Sequence, residues 1–235
     1  DRRQSRFSSD SAVSYDGGNL PAYFAEPASG SGIGVVIVTA IFGVDDDTKK
    51  ICDDLAAAGY PTVAPNMFWQ DEDAGVIAVS PEGSERGKAR AARVDRDDGN
   101  AYIGACIDDL RARETCNGKV TVMGFCFGGP YVVQAAARFD VAGVVSFHGS
   151  FVENFLGELA DVNCPLAFHY GDNDAVAPMA AIDKVKAVCE NRDNAEVFVY
   201  PGGQHGYMFP NRGAGYLAEA AQLSWDRTFE FLNNL

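Results

Sequence analysis

A cysteine between two glycines, in Gly124-Phe125-Cys126-Phe127-Gly128, is the strongest candidate for chemistry in this chain. The pentapeptide follows the apolar run Val120 to Met123, which reads as a strand, and precedes a helical pattern starting near Gly129. A nucleophile on such a tight strand-to-helix turn is held up at the sheet end, and the glycines are needed because strand and helix leave no room for side chains. A thiol attacks as thiolate and needs a base or a cation beside it. Two downstream segments supply an acid and a base. Gly171-Asp172-Asn173-Asp174 follows the run Leu166 to Tyr170, and Pro201-Gly202-Gly203-Gln204-His205-Gly206 follows Val197 to Tyr200. Both lie at the carboxyl ends of predicted strands, where open α/β sheets place their ligands.

The order nucleophile, acid, histidine is the one an α/β-hydrolase requires. In that scheme Cys126 is the nucleophile, His205 takes the thiol proton and later activates water, and Asp174 fixes the imidazole tautomer. Asp172 is a rival acid, but Asp174 is better placed at the loop end of the strand. The oxyanion hole needs two backbone donors. The first expected is Phe127 N–H, directly after the nucleophile. The second comes from the loop after the Val35 to Thr39 strand, Ala40-Ile41-Phe42-Gly43, with Ile41 N–H as the candidate. His169, inside a strand, and His148, at the end of one, read as structural. Phe42, Phe68, Trp69 and Phe127 can line an apolar pocket or fill the core.

The elements that must position these residues alternate. Residues 11–25 read as two short strands around a turn at Tyr15 to Asn19. Val35 to Thr39 reads as a buried parallel strand, Asp47 to Ala58 as a helix ended by Gly59, and Thr62 to Ala64 as a strand stopped by Pro65. Residues 66–99 read as a long excursion with one short helix that covers part of the site as a lid or wall. Beyond it come a helix from Asn100 to about Arg113, the Val120 strand, the turn, a helix to about Arg138, and a strand from Val141 to Phe147. A strand from Leu166, a helix from Pro178 to Glu190, a strand from Glu196 and a closing amphipathic helix from Tyr216 to Leu232 complete the chain. This pattern predicts an α/β fold of the α/β-hydrolase type: a mostly parallel, doubly wound sheet with an N-terminal antiparallel hairpin. A polar tail over residues 1–10 precedes one domain over 11–235.

The net charge of −14 argues against nucleic acid and anionic membranes as partners. No apolar run approaches a membrane span, and the first ten residues lack the apolar stretch of a signal peptide. Cys52, Cys106, Cys116, Cys126, Cys164 and Cys189 form no C-x-x-C pair and no disulfide-rich spacing, so no metal site and a reducing cytoplasm are expected. The chain is expected to need no cofactor and to be a monomer or homodimer.

Four segments carry a family resemblance. Ala40-Ile41-Phe42-Gly43, Gly59-Tyr60 with Ala64-Pro65-Asn66-Met67-Phe68-Trp69, Gly124-Phe125-Cys126-Phe127-Gly128-Gly129, and His205-Gly206-Tyr207 resemble the dienelactone hydrolase family. The resemblance runs from about Leu20 to the C-terminus. It implies hydrolysis of a small cyclic enol-lactone or related ester by a Cys-His-Asp triad, falling on Cys126, His205 and Asp174, with Ile41 and Phe127 as oxyanion donors. It also implies two arginines that grip a substrate carboxylate, matched by position to Arg86 and Arg212, with Arg90 or Arg93 as alternatives. One residue departs from the family pattern: Ala40 stands where the family usually has a thiol-gating glutamate. The expectation from that departure is a Cys126 that rests as a more constant thiolate. The alternatives are a general short-chain esterase, or a ligand-binding or redox-sensing protein without turnover.

Overall fold

A computed structural model describes residues 8–235, so most of the expected N-terminal tail lies outside the described residues, while Ser9 and Asp10 open the first strand. The chain divides into two compact units, one ending at Val122 and the other starting at Met123. That division falls inside a strand.

The first unit opens with a hairpin of β1 (Ser9–Tyr15) and β2 (Gly18–Ala25), registered Tyr15↔Gly18. Its two turn residues, Asp16 and Gly17, have φ of 47° and 75°, as the twist of a two-residue hairpin requires. β3 (Gly32–Val38) is apolar without alternation, and Val35 to Val38 are fully buried. It pairs in parallel with β4 (Thr62–Pro65), which pairs antiparallel with β2. Between β3 and β4, α1 (Asp46–Ala57) starts where the Asp45 side chain accepts from Thr48 N, and packs on β2 and β4. Gly59 follows it at φ 102°.

The excursion is more regular than expected. It holds a 13-residue helix, α2 (Pro81–Arg93), where a short one was predicted. The next helix, α3 (Arg96–Arg111), begins four residues before the predicted Asn100. Capping explains both. The Ser80 hydroxyl accepts from Gly83 N with Pro81 in the first turn, and the Asp95 carboxylate accepts from Asp98 N with Asp97 and Asp98 favourably placed in the first turn. α3 packs on β1, β3 and β4. Trp69 of the excursion and Tyr102 of α3 meet Tyr15 edge-on, with centroids 6.3 and 5.0 Å away.

β5 (Cys116–Phe125) carries the chain into the second unit. There the turn at 126–128 leads into α4 (Gly129–Arg138), which packs on β6 (Gly143–Phe147). β6 pairs in parallel with β7 (Leu166–Gly171), and β7 with β8 (Ala195–Tyr200), in the register Phe147↔His169↔Phe198. α5 (Met179–Cys189) packs on β8, and α6 (Ala218–Asn233) closes the chain. The eight strands run in the order β1-β2-β4-β3-β5-β6-β7-β8, mostly parallel with the antiparallel hairpin at one edge, as the sequence predicts. No helix among the described residues is long and apolar enough to cross a membrane.

Candidate active site

The second unit brings three strand ends together. Cys126 follows β5 and is 97% buried, with φ at +51°, a conformation that costs a non-glycine residue about 1–3 kcal/mol. The glycines around it fit the steric reading. A Cβ on Gly124 would fall 2.3 Å from the Gly128 carbonyl oxygen, and one on Gly129 would fall 2.5 Å from the Gly149 Cα. The Cys126 carbonyl is held by Ser150 N at 2.9 Å. Phe127 is half-buried in the short turn that leads into α4, and its ring sits edge-on to Tyr131.

Asp174 lies in the loop after β7 and is buried. Its Oδ1 accepts from Val176 N and Ala177 N at 2.8 and 2.9 Å, while Oδ2 stands 2.9 Å from His205 Nδ1. The rival Asp172 is exposed and accepts from Gly202 N at 2.7 Å, so it ties two loops together and leaves the imidazole to Asp174. His205, in the loop after β8, has Nε2 3.4 Å from Ser150 Oγ.

His148 enters this group although the sequence reading made it structural. It directly follows β6, is fully buried, and places Nδ1 3.1 Å from Cys126 Sγ. Sγ and one ring nitrogen each of His148 and His205 all lie within 4.8 Å of one another. The signal that could have found His148 is its place at the carboxyl end of the strand next to the nucleophile's strand. His169 keeps the structural role expected of it, buried with Nδ1 2.8 Å from the Tyr200 hydroxyl.

The charges in the cluster are coupled. Burial alone would raise the Cys126 thiol, but the His205 and then the His148 imidazoles beside it hold it well below its ordinary value. Burial would lower His205, and the Cys126 thiolate and Asp174 carboxylate outweigh it, raising the imidazole to about 10. Asp174 is held below the usual carboxylate range because its hydrogen bonds from His205, Ala177 and Val176 outweigh its burial. All three shifts run in the direction that favours the charged form of each group.

In the first unit, Ile41 is half-buried in the loop after β3. Its carbonyl accepts from both Nε and Nη2 of Arg90, at 3.0 and 2.7 Å. Arg90 is fully buried, its Nη1 donates to the Asp73 and Gly75 carbonyls, and its guanidinium lies 4.1 Å from the Phe68 ring centroid. That leaves Arg90 no surface for a substrate; it binds α2 to the Ile41 loop. Arg86 forks onto Asp73 and Arg93 onto Asp71. Phe42 is buried, with its carbonyl taken by Ile77 N. In the second unit, Arg212 packs on the His205 loop, where a Cβ on Gly206 would fall 3.1 Å from its guanidinium carbon. The first unit also holds a cleft of about 280 Å³, lined in part by Tyr23, Lys49, Asn66 and Val76 and by no member of the Cys126 cluster.

A mostly parallel sheet with a strained cysteine on the turn after β5 places the chain among the α/β-hydrolases. Comparison with known proteins narrows this. The chain belongs to the dienelactone hydrolase family, whose model matches residues 20–235. A protein of Azospirillum brasilense is 31% identical over 220 residues, covering 92% of this chain and 94% of its own. The carboxymethylenebutenolidase of Pseudomonas putida is 28% identical over 226 residues, covering 94% of each chain. A crystal structure from Klebsiella pneumoniae subsp. pneumoniae superimposes with a TM-score of 0.87 at 24% identity, covering 97% of this chain and 99% of its own, which establishes the shared fold. Family membership makes this chain a hydrolase of the lactone and ester class, acting on small molecules.

Proposed function

We propose that this protein hydrolyses small lactones or short-chain esters through a thioester on Cys126. The observation that supports this is the alignment of Cys126 Sγ, the His205 ring and Asp174 Oδ2, with the last two 2.9 Å apart and the first two within 4.8 Å. The thiolate attacks the substrate carbonyl carbon, forming the C–S bond and moving the carbonyl electrons to oxygen. Phe127 N–H stabilises that oxyanion, and Ile41 N–H is retained as second donor on its chain position after β3. As the C–O bond breaks, His205 gives its Nε2 proton to the leaving oxygen, which in a lactone stays tethered to the acyl group. Water then gives His205 a proton as it attacks the thioester, and the C–S bond breaks to restore the thiolate and release the acid. Asp174 keeps the His205 proton inventory on the correct nitrogens throughout.

The substrate proposed is uncharged. Arg86 would have to release Asp73 before it could hold a carboxylate, and Arg93 is committed to Asp71 in the same way. Arg212 is kept as a proposed substrate contact for its position after His205 in the chain, with Phe42 as a proposed wall residue. The test is hydrolysis of p-nitrophenyl acetate and of a dienelactone by wild type and Cys126→Ala. Turnover that disappears in the variant supports the cysteine mechanism, and faster turnover of the acetate supports the uncharged substrate. A single stoichiometric burst without turnover would instead favour a thiol sensor, and activity that survives in Cys126→Ala would overturn the mechanism.

A further inference from the structure

His148 has features that a packing role does not explain. It is fully buried, yet its backbone sits at φ +38°, a region that is costly for a non-glycine residue and persists only where the surroundings impose it. Its amide is fixed by the His169 carbonyl at 2.7 Å. Its ring is boxed by the edges of Tyr207 and Phe209, at 5.3 and 5.6 Å between centroids, and by Phe125 at 6.0 Å. Within that box Nε2 is buried with no hydrogen-bond partner, while Nδ1 faces Cys126 Sγ at 3.1 Å.

These facts select a tautomer. A proton on Nε2 would leave an orphaned N–H among aromatic rings, and buried orphan donors are rarer than under-satisfied acceptors. A proton on Nδ1 has an acceptor directly in front of it. With Nδ1 donating, Sγ must accept, and a thiolate accepts far better than a thiol.

We infer that His148 is a second histidine of the nucleophile: its ring donates Nδ1–H to Sγ and holds Cys126 as a resting thiolate before any substrate arrives. The proton inventory closes. The thiol proton is assigned to His205 Nε2, the positive His205 lies between the thiolate and the Asp174 carboxylate, and His148 needs only its Nδ1 proton to serve as donor. The titratable groups that face His148 are Cys126, His205 at 5.6 Å between ring centroids, Tyr207, and His169 through its backbone and the stacked Phe147. His205 alone exchanges protons with substrate; His148 keeps the sulfur charged while that exchange occurs. The inference rests on the reading of Cys126 as nucleophile, but it is tested on the sulfur itself and not on turnover.

The experiment is alkylation by iodoacetamide, in which Sγ⁻ displaces iodide from carbon, followed by mass spectrometry of the Cys126 peptide from pH 4 to 10. Wild type, His148→Ala and His148→Asn are compared. Asn keeps an N–H donor near the position of Nδ1. The Ala variant is expected to move the alkylation midpoint up by at least one pH unit, a tenfold loss of rate on the acid limb, and Asn to recover most of it. An Ala profile identical to wild type in a folded protein overturns the inference. Should His148→Ala not fold, His205→Ala decides: a Cys126 that still titrates below an ordinary thiol in that variant upholds a second donor, and one that returns to the ordinary range refutes it. If the alkylation profile depends on His148 while ester turnover survives in Cys126→Ala, the functional reading fails and this inference stands.

Discussion

Gly171 and Gly203 touch backbone to backbone: a Cβ built on Gly171 would fall 2.1 Å from the Gly203 carbonyl oxygen. Gly171 ends β7, and Gly203 lies two residues before His205, so this approach sets the distance between the Asp174 and His205 loops. Asn173 N donates to the same Gly203 carbonyl at 2.9 Å, and Gly202 N donates to Asp172 at 2.7 Å, lacing the two loops together. The pair of glycines is as much a part of the site as the side chains it brings together.

Gly171→Ala is therefore expected to destabilise the protein by about 3 kcal/mol or more, because the clash is with backbone and cannot be relieved by a side-chain rotation. Turnover should fall as well, since Asp174 and His205 move apart. Urea denaturation and aryl ester kinetics check this, with Gly157→Ala as control because nothing lies within 4 Å of a Cβ there. Equal behaviour of the two variants would contradict the argument.

Asp174→Asn separates orientation from charge. The amide oxygen can still accept from Val176 N and Ala177 N, so the loop and the stability should change little. The amide nitrogen then faces His205 Nδ1 and favours the wrong tautomer. The expected result is a fall in kcat of about 10³-fold to 10⁴-fold with a melting temperature close to wild type. A loss below tenfold would mean that Asp174 does not orient the base.

Arg90→Ala should be costly although no charge partner is lost. Its guanidinium is the shared donor for the carbonyls of Ile41, Asp73 and Gly75, and removal leaves buried acceptors and a cavity against Phe68. A loss of about 3–5 kcal/mol is expected in chemical denaturation, with Arg90→Lys recovering only part because an ammonium cannot reproduce the fork. Arg93→Ala, which removes a half-exposed guanidinium from Asp71 and leaves no buried backbone carbonyls without a donor, should cost clearly less than Arg90→Ala.

The coupled Cys126 and His205 pair makes a specific contribution to stability against pH. His205, raised to about 10, contributes stability that is full below its unfolded value near ~6.5 and is lost as pH rises through about 10. Cys126, depressed, contributes stability that is full above its unfolded value near ~8.5 and is lost as pH falls through its folded value. In the folded state the pair keeps one proton across this range. The unfolded pair holds two protons below ~6.5, one between ~6.5 and ~8.5, and none above. The difference in unfolding free energy between wild type and the Cys126→Ala/His205→Ala double variant should thus be flat between about pH 6.5 and 8.5 and decline on both sides. A difference that does not vary with pH would show that Cys126 and His205 are not an ion pair.

Much of this molecule was legible in its sequence because the information was local. Continuous apolar runs such as Val35 to Val38 marked buried parallel strands, and Asp16-Gly17 marked the hairpin. Two glycines around Cys126 announced a turn too tight for side chains, and chain order alone nominated Asp174 and His205. The excursion's helix is hard to see in the sequence because the face α2 buries carries Gly83, Gly87 and Arg90 instead of large apolar side chains, so the Ser80-Pro81 cap is its clearest signal.

Tertiary structure decided what depends on residues far apart in the chain. His148 lies 22 residues from Cys126, and nothing in Phe147-His148-Gly149 shows that a positive φ will turn its ring onto the sulfur. Arg90 reads as one of many surface charges in a basic run, and it is buried because three backbone carbonyls from distant loops converge on it. In the sequence only its place in the loop favours Asp174 over Asp172, and hydrogen bonding gives Asp172 to a loop amide and Asp174 to a histidine. Sequence fixes which groups can react through residue type and strand-end position; the pairing of each group with its neighbour is a property of packing, and exists only once the chain has closed around it.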